Sequence, residues 1–170
     1  VNKVRFSAGG FEAKYTDKMA SVLDIEYRKP QKWEGDISAS LLGASGYMGW
    51  GNKKMSISHS LRYKTNSYML GALETDAEYS PNFVDYQVFM SWMPTKDWSV
   101  DVIGYISHNN YKFTPATRET SFGTMENIHN FKVYFDGWEQ DVFQTFYGTA
   151  RVKRSIKDKH SISLNYTAFN

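Results

Sequence analysis

Residues 84–107 limit what this chain can fold into more than any other stretch. They read VDYQVFMSWMPTKDWSVDVIGYIS. In the first arm Val84, Tyr86, Val88, Met90 and Trp92 alternate with Asp85, Gln87, Phe89 and Ser91. In the second, Trp98, Val100, Val102, Gly104 and Ile106 alternate with Ser99, Asp101, Ile103, Tyr105 and Ser107. Strand side chains point to opposite faces in turn, so each arm is a strand with one apolar and one largely polar face. Pro94, Thr95, Lys96 and Asp97 between them form a turn, and the unit is a hairpin. Arms of about ten residues exceed the common globular strand and match a tilted strand that crosses a bilayer. Trp92 and Trp98 flank the turn, where a membrane interface favours amphipathic rings.

The same unit recurs along the chain. Trp33, Ile37, Ala39 and Leu41 oppose Glu34, Asp36, Ser38 and Ser40. Residues 43–46 (GASG) read either as a tight hairpin or as a thin part of one strand. Residues 50–54 (WGNKK) form a turn. Met55, Ile57, Leu61 and Tyr63 then oppose Ser56, Ser58, Ser60, Arg62 and Lys64, with His59 an exception on the apolar face. Residues 66–82 are expected to be a polar loop. Residues 109–140 are expected to be the longest connection, with a strand extension near 128–135. Residues 142–153 alternate again. After a charged turn at 155–159, Ile162, Leu164, Tyr166 and Ala168 oppose Ser161, Ser163, Asn165 and Thr167. The first thirty residues differ: two short strands near 1–6 and 19–27, broken by Gly9 and Gly10 and ended by Pro30. A boundary is therefore expected at about residue 30.

Short connections near Gly51, Thr95 and Lys157 alternate with long ones near Asp76 and Thr124. Outer-membrane barrels show this asymmetry, and their aromatic girdles correspond to Trp33, Trp50, Trp92 and Trp98 at expected strand ends. Trp138 falls in the long connection. A mean hydropathy of −0.54 and short apolar runs exclude helical spans. Aromatic residues make up 16% of the chain, which favours strands and interfaces. A net charge of +2 gives no nucleic-acid footprint, so no nucleic-acid partner is expected. The absence of cysteine fits a closed barrel or a reducing compartment and decides nothing. Alternation with one wet face also builds soluble sandwiches and lipocalin-like barrels. Six or seven long strands are too few for a complete bacterial barrel, and lipid tolerates no open sheet edge. The sequence is therefore expected to be part of a larger barrel, or else not a membrane protein.

Residues 9–25 (GGFEAKYTDKMASVLDI) bear on that choice. They resemble the end of the plug domain of TonB-dependent outer-membrane transporters, in the version found in Bacteroidetes. Gly9, Gly10, Tyr15, Lys18, Ser21, Val22, Leu23 and Ile25 carry the resemblance. Thr16 and Asp17 stand where that family more often has glycine, and Lys18 where it more often has arginine. Residues 117–124 (TRETSFGT) and 131–137 (FKVYFDG) are similar to the first barrel strands and loops of the same group. The resemblance implies an all-β fold: an antiparallel transmembrane barrel segment at 31–170, belonging to a barrel of about 22 strands, preceded by the end of a plug at 1–30. It further implies import of an iron chelate, a cobalamin or a glycan across the outer membrane. TonB would supply the energy by engaging a segment upstream of Val1. Outer-membrane lipid and the rest of the barrel and plug would be the other partners.

On that reading Arg5, Lys14 and Lys18 are candidates to pair with carboxylates of the barrel wall. Glu34, Asp36, Arg62, Lys64, Asp85 and Asp101 would line the lumen. Tyr68, Tyr111, Phe113, Tyr134 and Trp138, on expected outer loops, would be placed to touch substrate. The alternatives are a small stand-alone outer-membrane barrel of structural or adhesive role, and a soluble ligand-binding β-sandwich. No enzyme and no cofactor is expected. His59, His108, His129 and His160 lack metal-ligand spacing, and residues 136–141 lack the regular oxygens of a calcium loop. Neither a phosphate loop nor a nucleophile elbow is present.

Overall fold

The long alternating segments fold as strands, because each has one face that can be apolar without interruption. The structure, a computed structural model, describes all residues except 11, 13–14, 16–19, 66–77, 125 and 158–159. In chain order the strands are β1 (Lys3–Ser7), β2 (Val22–Glu26), β3 (Glu34–Ser40), β4 (Gly43–Gly51), β5 (Met55–Thr65), β6 (Glu78–Trp92), β7 (Trp98–Thr114), β8 (Arg118–Thr124), β9 (Asn127–Val133), β10 (Glu139–Ile156) and β11 (His160–Phe169). No helix occurs among the described residues. One antiparallel seven-stranded sheet runs β11-β10-β7-β6-β5-β4-β3, and β1-β2 and β8-β9 form two small separate sheets. Among the described residues the large sheet is open, with β3 and β11 at its edges.

One open reading is resolved and two local expectations are corrected. Residues 43–46 belong to β4, and the hairpin turn is at Leu41 and Leu42. Gly43 has φ near +138°, and a Cβ there would collide with the Tyr63 carbonyl, so glycine is required at the strand's entry. The loop expected at 66–82 does not extend over residues 78–82, which belong to β6. Pro81 concealed this extension: proline argues against a central strand, yet here it pairs with Tyr111 of β7 at a level past the last β5 partner, Thr65 opposite Asn82. The long connection at 109–140 is not one loop. β7 continues to Thr114, β10 starts at Glu139, and β8 and β9 form a hairpin between them.

Register joins the strand patterns into two continuous faces. Ile37, Met48, Ile57, Leu61, Tyr63, Val84, Val88, Met90, Val100, Val102, Ile106, Phe146, Val152 and Leu164 lie on one. Between the tryptophans and the level of Tyr63, Val84 and His108 this face carries no Asp, Glu, Lys or Arg. Glu34, Asp36, Ser58, Arg62, Asp85, Gln87, Asp101, Thr149 and Arg151 lie on the other.

Burial is inverted relative to a water-soluble sheet. On the apolar face Ile37 is 87% exposed and Leu164 71%. On the polar face Phe89, Ser56, Ser58, Ser91 and Ser107 are buried, with Phe89 at 5% exposure. A bare apolar face this wide is far beyond the patches that soluble monomers expose.

The strands are also staggered. A row of register partners crosses the sheet through Ile37, Gly46, Leu61, Tyr86, Ile106 and Phe146, and ends at Asn170 in paired backbone hydrogen bonds. Glu34 opens β3 three residues from this row, Trp92 closes β6 six residues from it, and His160 opens β11 ten residues from it. The short-turn ends thus drift by about one residue per strand, which at about 3.3 Å per residue and 4.8 Å between strands inclines the strands by roughly 40° from the perpendicular to the line of turns. Transmembrane barrel strands have a similar tilt.

Candidate functional site

Residues 27–30 lie across the polar face, against Glu34, Phe89 and Asp101, and that strapped face is the candidate site. β1 and β2 pair from Lys3↔Glu26 to Ser7↔Val22. Residues 27–30 then run as a strap across the sheet. The Tyr27 ring stacks on Phe89 with centroids 4.9 Å apart, and Gln87 Nε2 donates to the Tyr27 hydroxyl at 2.8 Å. Arg28 Nη2 donates to Glu34 Oε2 at 2.8 Å, while Tyr47 donates to Glu34 Oε1 at 2.9 Å. Lys29 Nζ reaches Asp101 Oδ1 at 3.0 Å. Pro30 is buried over Gly49 and Gly51, where a side chain on either glycine would strike the proline. The strap thus touches β3, β4, β6 and β7.

Beside the strap is a cleft of about 330 Å³, lined in part by Asp24, Glu26, Lys29, Asp101, Thr149 and Arg151. Its floor and walls carry both charge signs, so it suits polar matter. Arg62 forms a two-pronged pair with Asp85, Nε to Oδ2 at 2.9 Å and Nη2 to Oδ1 at 3.0 Å. Such fork geometry holds both side chains in one orientation. Arg151 donates to Asn165 Oδ1 at 2.7 Å and extends the polar lining to β11.

The sequence-derived candidates are placed as follows. Arg5 lies near Asp24 and Glu26 at 3.6 and 3.9 Å, on its own small sheet and not against the large one. Lys14, Lys18 and Tyr68 lie outside the described residues. Glu34, Asp36, Arg62, Lys64, Asp85 and Asp101 share the polar face, and four of them form the ion pairs above. Tyr111 and Phe113 belong to β7 and not to a loop. Tyr134 and Trp138 are exposed between β9 and β10, where Lys132 lies 5.6 Å from the Tyr134 ring and Lys112 lies 5.7 Å from the Trp138 ring. These four share the end of the sheet from which the β8-β9 hairpin leaves.

Sequence reasoning missed the strap. Residues 27–30 read only as a strand end and its terminator. One signal was present: Phe89 is an aromatic ring among Asp85, Gln87 and Ser91 on a wet face, and such a ring calls for a cover. On the opposite face the His59 exception has a simple account. Its Nδ1 is 2.6 Å from the Tyr86 hydroxyl, so the two polar groups satisfy each other within the apolar band.

No protein-family model, curated protein or solved structure matches this chain.

Proposed function

We propose that the chain is part of a TonB-dependent outer-membrane transporter, with residues 1–30 the end of its plug and 31–170 the first part of its barrel. The observation that carries this reading is the inverted sheet. Its apolar face is bare and free of charge inside the tryptophan rim, and its charged face is crossed by the chain's own strap at residues 27–30. Lipid is the medium that makes such an apolar face favourable, while a polar interior filled by a plug makes such a charged face favourable. The roughly 40° incline, the tryptophans at the short-turn ends and the plug-like residues 9–25 support the same reading. A soluble sandwich needs a second layer over the apolar face, and no described element lies there. The two open edges require further strands in lipid, where every backbone donor and acceptor must be satisfied. The strap explains how a plug end is held: several modest contacts, none strong alone, on a face that stays wet.

The transported substrate would be a scarce nutrient such as an iron chelate, a cobalamin or a glycan, met first at the end bearing Tyr134 and Trp138. The test uses the full-length product in its native membrane. Uptake of each nutrient class is compared in wild-type and deletion strains, with and without an ionophore that collapses the inner-membrane proton gradient. Uptake of one class lost in both the deletion and the de-energised cells is expected. A product absent from the outer membrane, or uptake indifferent to the gradient, overturns the proposal. The native polypeptide should also be several-fold longer than this chain.

A further inference from the structure

The apolar face is not smooth. A groove of about 580 Å³ crosses β3, β4, β5 and β6, walled by Trp33, Ile37, Met48, Leu61 and the His59–Tyr86 pair. Gly35 and Gly46 leave its floor low. A Cβ added at Gly46 would meet nothing within 4 Å, so the glycine is not required by packing within the sheet. The groove opens at Trp33, on the level where Trp50, Trp92 and Trp98 mark the short-turn rim. Its inner end is the hydrogen-bonded His59–Tyr86 pair. Just beyond the rim are three exposed lysines: Lys32 precedes Trp33, and Lys53 and Lys54 occupy the turn after β4. Neither segment contains a carboxylate between the lysines and the strand ends. Glu34, the nearest acid in sequence, points to the opposite face and is taken by Arg28 and Tyr47.

We infer that this groove seats one anionic phospholipid of the membrane leaflet on the short-turn side. An acyl chain fills the apolar trough between Trp33 and Tyr86. The phosphate lies at the rim against Lys32, Lys53 and Lys54, with the Trp33 indole at the boundary between tail and headgroup. Charge decides the class of lipid: three exposed cations with no ion-pair partner among the described residues attract a net negative headgroup within a Debye length and give a zwitterion little. The trough decides that it is held at one place instead of merely wetting the surface. This inference rests on the outer-membrane reading above.

The full-length protein is extracted in detergent, incubated with phosphatidylglycerol or phosphatidylcholine of equal chain length, and examined by native mass spectrometry. One phosphatidylglycerol is expected to stay bound under conditions that strip phosphatidylcholine. Gly46→Leu fills the trough without a backbone clash and is expected to lower retention several-fold. The double variant Lys53→Gln with Lys54→Gln is expected to abolish the headgroup preference while the trough remains. Equal retention of the two lipids by the unaltered protein overturns the inference, as does retention unchanged in both variants. These failures are separable from failure of the transport reading. A protein that is integral to the outer membrane but shows no headgroup preference sinks the lipid seat alone. A protein that does not enter the outer membrane sinks both.

Discussion

Tyr27 is the side chain on which the cover of the polar face most depends. Its ring meets Phe89, and its hydroxyl accepts from Gln87. An aromatic pair adds about 0.5–1.5 kcal/mol beyond the area it buries. Tyr27→Ala is therefore expected to loosen residues 1–30 while the large sheet persists. Hydrogen exchange should show faster exchange in β1 and β2 and unchanged exchange in β5–β7; equal acceleration everywhere would mean the strap has no separate role. The Arg62–Asp85 pair is asymmetric in a way that predicts direction. The Asp85 side chain is 15% exposed and that of Arg62 52%. Removing the arginine leaves a largely covered carboxylate unpaired, whereas removing the acid leaves a cation that water can reach. Leaving a covered group unsatisfied costs about 1–3 kcal/mol. Arg62→Gln should thus lower thermal stability in detergent more than Asp85→Asn, and the reverse order would contradict the assigned burial.

At the scale of elements, β5 separates the two environments within adjacent residues. Leu61 lies in the bare apolar band and Ser60 on the polar face. A lysine on a lipid-facing strand near the bilayer midplane costs about 2–4 kcal/mol, and one on the lumen side costs little. Leu61→Lys should therefore destabilise the protein in lipid vesicles by that amount in denaturant titrations, with Ser60→Lys close to neutral. If Leu61→Lys were neutral or stabilising, the apolar face would be in water, and the membrane reading would fall with it. The elements that were legible in the sequence are those whose environment repeats every second residue. The arms around residues 84–107, 55–64 and 161–168 stand in the same medium on each face along their length, so periodicity identifies them. The parts that were not legible depend on neighbours distant in sequence. Pro81 is accommodated in β6 because it lies beyond Asn82, the last β6 residue in register with β5. The β8-β9 hairpin was legible in part: a strand was expected near 128–135, where β9 lies, but its partner β8 (RETSFGT) carries no apolar-polar alternation. The strap at 27–30 carries no period at all; its roles follow from Glu34, Phe89 and Asp101, which only the sheet brings beneath it. The acids and bases of the polar face were legible individually, but their pairing needed register: Arg62 and Asp85 are partners because β5 and β6 align as they do.

For the whole molecule, the stagger and the tryptophans make one geometric statement that can be measured. Counted along the strands from the row through Ile37 and Tyr86, Trp50 is four residues out and Trp98 is eight. If that row lay parallel to the membrane, the two indoles would differ in depth by about 13 Å, four residues at about 3.3 Å each. If the strands incline by roughly 40°, as the drift of the turns requires, Trp33, Trp50, Trp92 and Trp98 reach a common depth at the interface, as a girdle does. Trp138 lies between β9 and β10 at the other end and belongs to no such level. Single-tryptophan versions of the full-length protein, with the remaining indoles replaced by phenylalanine, can be placed in vesicles whose lipids carry a quencher at a known depth. The four rim tryptophans are expected to give the same shallow depth, and Trp138 to be quenched by aqueous acrylamide instead. A depth that decreases from Trp50 to Trp98 would mean an upright sheet and a misplaced membrane plane. Free access of acrylamide to all five would mean that the apolar face meets water, and that the sheet's inverted burial needs another partner.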